Sequence, residues 1–150
     1  MKIVIGSDHA AFSMKNDIKK YLEDKNIEVI DVGTFSEDSC DYPKIAYDAT
    51  KKIINKEAEL GILICGTGLG MSLAANKVKG IRAAVVSESY SARMSREHNN
   101  ANIICFGARV IGIETAKDIV DNFLNAKFLG DKHLRRVNMI SDIEEGKFSL

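Results

Sequence analysis

The chain has 150 residues, enough for one domain with a well-developed core, and 45% of them are hydrophobic. Its 21 basic and 21 acidic residues balance, which argues against a nucleic-acid or membrane-surface partner held by bulk electrostatics and suits a homo-oligomer. No apolar run approaches the roughly 18 residues of a membrane span, and Met1 leads directly into strand-like Lys2-Ile3-Val4-Ile5, so neither a signal peptide nor a transmembrane segment is expected.

Residues 2–5 read as an apolar strand ending at Gly6-Ser7-Asp8-His9. A helix is expected over roughly 11–25, with Met14, Ile18, Tyr21 and Leu22 on one face. The second strand is Ile27 to Val32, followed by a polar loop over 33–42. Pro43 suits the first position of a helix that carries Ile45, Ala49 and Ile53 at helical spacing.

The third strand, Leu60-Gly61-Ile62-Leu63-Ile64-Cys65, is continuously apolar, as expected of a strand covered on both faces. A glycine loop, Gly66-Thr67-Gly68-Leu69-Gly70, follows at once, and then the helix formers Met71-Ser72-Leu73-Ala74-Ala75. A fourth strand spans Ile81 to Val86 and leads to a polar helix around 89–97. The fifth spans Asn102 to Phe106, with a helix near 113–125 after it. Beyond Gly130 lies a basic corner, Lys132-His133-Leu134-Arg135-Arg136, and a last amphipathic helix with Val137, Ile140 and Ile143.

Strand and helix alternate five times without a linker or repeat. The expected fold is therefore α/β over residues 1–150: a three-layer α/β/α sandwich on a five-stranded parallel sheet with right-handed crossovers, plus an extra C-terminal helix. The strand order is not readable from the sequence. Ligands of such folds bind outside the carboxyl ends of the strands, which directs attention to Asp8-His9, Cys65 and its loop, Ser87-Glu88, and Gly107-Ala108-Arg109.

The three cysteines, Cys40, Cys65 and Cys105, are odd in number and lack metal-ligand spacing, so they read as reduced thiols of a cytoplasmic protein. Cys105, inside Ile-Ile-Cys-Phe, reads as a small core residue. Cys65 differs, because positive potential from loop amides favours a thiolate there. The loop lacks the Gly-Lys-Ser/Thr ending of an ATP-binding loop and does not fit G-x-G-x-x-G. Glu88 offers a weak imitation of the ribose-binding acid of a dinucleotide fold, which leaves a non-catalytic nucleotide-binding module as one alternative.

His9 reads either as part of a helix-capping segment or as the edge of a site. His98, in Glu97-His98-Asn99-Asn100, reads as a solvated helix end or as an acid–base group beside amides that orient a polyol. The basic corner is an ordinary charged surface or an anchor for a phosphate. A base, an oxyanion loop, a second acid–base group and a phosphate anchor suffice for proton transfer next to a carbonyl, and no metal cluster or cofactor motif is visible.

The combination of Gly6-Ser7-Asp8-His9, Asp41-Tyr42-Pro43, Cys65 to Gly70, Ala74-Ala75-Asn76-Lys77 and His98-Asn99 resembles the type B ribose-5-phosphate isomerases of the ribose/galactose isomerase family. Gly107 to Val110 and His133 to Val137 extend the likeness over nearly the whole chain. The resemblance implies a Rossmann-like sandwich without metal or organic cofactor, assembled as a dimer or dimer of dimers with shared sites. It implies interconversion of ribose 5-phosphate and ribulose 5-phosphate through a cis-enediolate.

On the same resemblance, Cys65 would be the base, Gly66, Thr67, Gly68, Leu69 and Gly70 the enediolate loop, and the Thr67 hydroxyl an aid to proton movement. His98 would open the furanose, Asp8 and Asn99 would hold sugar hydroxyls near Tyr42, and His9, Lys132 and Arg136 would bind the phosphate, with Arg109 an additional anchor. Some relatives place a carboxylate base just after the last loop glycine; Met71 stands there in this chain, which points to Cys65. Lys132 stands where many relatives carry arginine, and Asn100 where aspartate is common. A hexose-6-phosphate isomerase of the same family, acting on allose or galactose 6-phosphate, is the near alternative.

Overall fold

The computed structural model describes residues 1–150. Five strands, β1 (Lys2–Ser7), β2 (Glu28–Asp31), β3 (Leu60–Cys65), β4 (Ala83–Val85) and β5 (Ile103–Gly107), form one sheet in the order β2-β1-β3-β5-β4. Every pairing is parallel. The helices are α1 (Phe12–Asp24), α2 (Tyr42–Ile54), α3 (Leu69–Ala75), α4 (Ser89–Glu97), α5 (Ile113–Asn125) and α6 (Asp131–Glu144). The α/β class and the five-stranded parallel sheet expected from the alternating pattern are borne out.

Strand alternation sorts the core onto two faces. Ile3, Ile5, Ile62, Ile64, Ile104 and Phe106 point to one face, where Ile18 and Leu22 of α1, Ala92 of α4, and Ala116, Ile119, Val120 and Phe123 of α5 cover them. Val4, Leu63, Cys65, Ile103 and Cys105 point to the other, under Ile45, Ala46 and Ala49 of α2 and Met71 and Ala75 of α3. The Cys65 side chain therefore belongs to the α2/α3 side.

Several boundaries differ from expectation, each for a local reason. A single 3-10 turn, His9–Ala11, precedes α1, and Asp8 caps it by accepting from the Ala10 N–H at 3.0 Å. Pro43 is the second residue of α2 rather than the first. The glycine loop is shorter than the five residues expected: α3 starts at Leu69, so only Gly66, Thr67 and Gly68 lie outside the helix. Gly68 makes this turn possible with a left-handed φ of 83°, and a Cβ there would lie 2.9 Å from the Phe106 backbone.

The fourth strand is also shorter than Ile81–Val86. At this sheet edge two asparagine side chains occupy the backbone. The Asn102 amide accepts from the Arg82 N–H at 2.8 Å, and Asn76 accepts from the Ala83 N–H at 2.8 Å while donating to its carbonyl at 2.9 Å. Helix α6 lies outside the repeating pattern, as expected. Of its apolar residues Val137 is buried, whereas Ile140 and Ile143 are exposed because nothing in this chain covers them.

Candidate active site

The sequence places Cys65 as the last residue of a central strand, where the chain must turn sharply to enter α3. The sheet order puts β1 and β5 on either side of it. The Asp8 N–H donates to the Ile64 carbonyl at 3.1 Å, and the Ala108 N–H to the Cys65 carbonyl at 2.8 Å. Asp8, just past β1, and Cys65 and Gly107, the last residues of β3 and β5, thus stand together at the carboxyl ends of three adjacent strands.

Cys65 is 5% exposed, and its sulfur accepts the Gly68 N–H at 3.1 Å. The Thr67 hydroxyl accepts the Leu69 N–H at 3.2 Å. These two loop amides are therefore occupied within the loop itself, a division that the sequence did not reveal. The amides of Gly66, Thr67, Gly70 and Met71 have no acceptor in the chain and are donors free to meet a ligand.

Close packing explains the glycines. A Cβ on Gly107 would come within 2.6 Å of Thr67 Cα and 2.7 Å of the Gly66 carbonyl oxygen, so β5 buttresses the loop backbone directly. The Tyr42 ring lies against Gly70, where a Cβ would meet its Cζ at 2.7 Å, and the Arg109 side chain lies over Gly66. Tyr42 and Arg109 thus join the loop, as the sequence suggested. Met71 is fully buried in the core, so no side chain after the loop's last glycine reaches the site.

Asp8 and His9 stand at the neighbouring strand end. The Asp8 carboxylate caps its own 3-10 turn, and His9 Nδ1 accepts the Cys40 N–H at 3.3 Å. With Nδ1 accepting, the neutral ring carries its proton on Nε2 and can donate it outward.

The remaining residues lie elsewhere. Helix α4 leaves the carboxyl end of β4 and returns to the amino end of β5, so His98 and Asn99, which follow it, lie at the far edge of the sheet. The length of β5 separates them from Cys65, roughly 16 Å at the usual rise of a strand. Helix α5 returns in the same way, and the Leu129 N–H donates to the Glu97 carbonyl at 3.1 Å. This joins the basic corner to His98.

Here the His98 and His133 rings stack, with centroids 4.2 Å apart and planes 6° from parallel. Partial desolvation, then the neighbouring His98, Lys132 and Arg136, hold the His133 imidazole below its ordinary pKa. His133 was noted in the sequence only as part of a basic corner; its pairing with His98 has no sequence signal. Asn100 adopts a left-handed φ of 47°, a conformation that asparagine tolerates well, and its side chain accepts from Arg96 at 3.0 Å. The expected site residues therefore fall into two groups in a single chain: Cys65, Thr67, Asp8, His9, Tyr42 and Arg109 at one edge, and His98, Asn99, Lys132 and Arg136 at the other.

Glu88 is engaged as the cap of α4, with both carboxylate oxygens accepting the Ser91 N–H at 3.0 Å. Bonding to Ser91 holds its carboxyl below the ordinary carboxylate range. This role leaves the nucleotide-binding alternative without its ribose acid.

A parallel α/β sandwich with a buried thiol under a glycine loop at its strand ends has the equipment of an acid–base isomerase. The family model described as Ribose/Galactose Isomerase matches residues 3–140. The chain belongs to that family, and it is an isomerase. It is 49% identical over 144 residues to the ribose-5-phosphate isomerase B of Escherichia coli strain K12, covering 96% of this chain and 97% of that one. A solved ribose-5-phosphate isomerase B from Clostridium thermocellum superposes with a TM-score of 0.96 at 51% identity, covering 99% of this chain and all of the other. The Mycoplasma genitalium ribose-5-phosphate isomerase B, solved with bound ribulose 5-phosphate, gives 0.92 at 41% identity over 96% of each chain.

Proposed function

We propose that the chain, as one isomerase domain over residues 1–150, interconverts D-ribose 5-phosphate and D-ribulose 5-phosphate through a cis-enediolate. The observation that carries this is the Cys65 sulfur, nearly buried at the end of β3 and receiving the Gly68 N–H. An N–H aimed at sulfur stabilises negative charge there, and the thiolate is the form that can accept a proton. The high identity to ribose-5-phosphate isomerase B over nearly the full length of both chains supports the pentose substrate.

In the aldose-to-ketose direction His98 protonates the ring oxygen and receives the hydroxyl proton at C1, which opens the furanose. The Cys65 thiolate then takes the proton from C2. Negative charge moves onto the C1 oxygen, which meets the free amides of Gly66, Thr67 and Gly70. The Thr67 hydroxyl helps shift a proton between O1 and O2, and the Cys65 thiol returns its proton to C1. Asp8 and Asn99 hold the sugar hydroxyls, with Tyr42 nearby. His9, Lys132 and Arg136 bind the phosphate, and Arg109 adds a cation over the loop. Fixing the phosphate far from C1 and C2 positions the reacting carbons. Lys132 supplies charge without the bidentate fork of arginine, so Arg136 is the more directional of the two.

The opposite placement of Cys65 and His98 supports a homodimer, or a dimer of dimers, whose sites are shared. One chain gives the thiolate half and its partner gives His98, Asn99, Lys132 and Arg136. The exposed Leu134, Ile140 and Ile143 on α6 suit burial against that partner. A reduced thiol as base suits the cytoplasm, and no helix is long and apolar enough to cross a membrane.

The test is a coupled assay of both pentose phosphates on wild type and Cys65→Ala. Isomerisation and proton exchange at C2 should vanish in the variant while sugar phosphate still binds. Near-normal turnover by Cys65→Ala would eliminate the thiolate mechanism, and faster turnover of allose or galactose 6-phosphate would replace the pentose as substrate.

A further inference from the structure

Lys15 is fully buried, yet it takes no part in the proposed chemistry. Its ammonium donates to both carboxylate oxygens of Asp31, at 2.8 and 2.9 Å, and to the Thr34 carbonyl at 2.6 Å. The Phe35 and Phe12 rings stand over it, with centroids 4.9 and 5.5 Å away. Asp31 in turn accepts the Gly33 N–H at 2.9 Å, and the ammonium of Lys19 lies 3.4 Å from its other oxygen. All three protons of the Lys15 ammonium are thus committed to the start of the segment that joins β2 to α2.

That segment leads to the site. Beyond β2 it continues beside β1: the Ser7 N–H donates to the Gly33 carbonyl and the Thr34 N–H to the Ser7 carbonyl, both at 2.7 Å. Ser7 directly precedes Asp8 and His9. At the other end of the segment the Cys40 N–H donates to His9 Nδ1, with the Cys40 sulfur 4.0 Å from the same nitrogen. Residues 33–40 therefore form a strap tied to the Asp8–His9 corner at both ends, and Lys15 is the charged group that fixes its root.

We propose that Lys15 is a positioning residue for His9, the phosphate ligand of the Cys65 half-site: by anchoring this strap it sets the Cys40 amide on His9 and so keeps the His9 proton on Nε2, facing the ligand. A buried ion pair is a poor source of net stability, because desolvation offsets its attraction, but it fixes geometry. The strap has few apolar residues to hold it otherwise. This inference rests on the reading of His9 as a phosphate ligand.

Two variants separate the roles. Lys15→Met removes the charge at similar length; Lys15→Met/Asp31→Asn also removes the carboxylate, so no unpaired charge is buried and the fold survives. Nitrogen-15 NMR of the His9 ring should show a single Nε2–H tautomer in wild type and a mixture of both in the variants. For ribose 5-phosphate, KM should rise about tenfold with kcat changed less than about twofold, the pattern of lost uniform binding. In a His9→Ala background the added Lys15→Met should change KM by less than about twofold, because its route to the phosphate is already gone.

A folded double variant that keeps both the His9 tautomer and the wild-type KM would overturn the proposal and leave Lys15 a core group only. An undiminished KM effect of Lys15→Met in the His9→Ala background would overturn it as well. If His9→Ala alone leaves KM unchanged, His9 as phosphate ligand is what fails, and the tautomer measurement still decides the anchoring of the strap.

Discussion

Replacing Gly107 with alanine should damage catalysis far more than its single methyl suggests. The new Cβ would lie 2.6 Å from Thr67 Cα, and 2.7 Å from both the Gly66 oxygen and the Thr67 carbonyl carbon, where ordinary contact begins near 3.4 Å. All three atoms are backbone, so no rotamer change relieves the overlap, and strand and loop must part by most of an ångström. Overpacking of this kind costs about 1–3 kcal/mol, which for a chain of this size lowers Tm by a few degrees to roughly ten. The same displacement moves the Gly66 and Thr67 amides and the sulfur relative to the substrate, and a misplacement near 1 Å can lower the rate by ~10²-fold. Gly112→Ala is the control, since nothing lies within 4 Å of its Cβ. The assay is kcat for ribose 5-phosphate alongside thermal unfolding of both variants. Gly107→Ala with a rate within about threefold of wild type would refute the view that β5 sets the loop's position to catalytic tolerance.

Iodoacetamide near neutral pH should inactivate the enzyme through Cys65, with ribose 5-phosphate protecting. Burial, reinforced by the neighbouring Cys65, pushes the Cys105 thiol up, so peptide mapping should find Cys105 unlabelled; inactivation that maps to Cys40 or Cys105 alone would count against Cys65. Asn76→Ala removes the only acceptor of the Ala83 N–H and one of two donors to its carbonyl, the Ser72 hydroxyl at 3.3 Å being the other, and should cost about 1–3 kcal/mol, read by urea unfolding, with kcat little changed. Co-expressing Cys65→Ala with His98→Ala should restore activity from two inactive parents, to about a quarter of wild type for random pairing into twofold dimers. A mixture that stays inactive while forming mixed dimers would rule out the shared site.

The sequence displayed the sheet because each strand is an apolar run bounded by glycine or polar residues. The Leu60–Cys65 run followed by Gly66 needed no structure to be seen as a strand end with a loop. Periodicity failed where side chains act on backbone. Asn76 and Asn102 look like loop residues, yet Asn102 takes the Arg82 N–H just before the fourth strand, and Asn76 caps the outer edge of Ala83 within it. Lys15 falls beside the apolar face of α1 with nothing in the sequence to mark it; only the position of Asp31 on the neighbouring strand makes it a core residue. The expected loop runs past Leu69 because a glycine inside a helix, Gly70, looks like more loop; in the structure its lack of a side chain makes room for the Tyr42 ring.

The division of the site follows from the same alternation that revealed the fold. In a parallel sheet every strand ends at one edge, and every helix between strands delivers the chain to the other. Cys65 ends a strand, whereas His98 ends a helix, so no loop rearrangement within one βα unit could bring them together. The stacking of His98 on His133, beside Lys132 and Arg136, then has a clear use. In the proposed shared site it would gather the ring-opening group and the phosphate cations into one block presented by a second chain. A monomer would hold a base and an oxyanion loop with an incomplete phosphate site, and its own His9 would face the ligand without the cations that neutralise the dianion. Assembly is on this view a condition of catalysis, and activity should fall with dilution wherever the dimer dissociates.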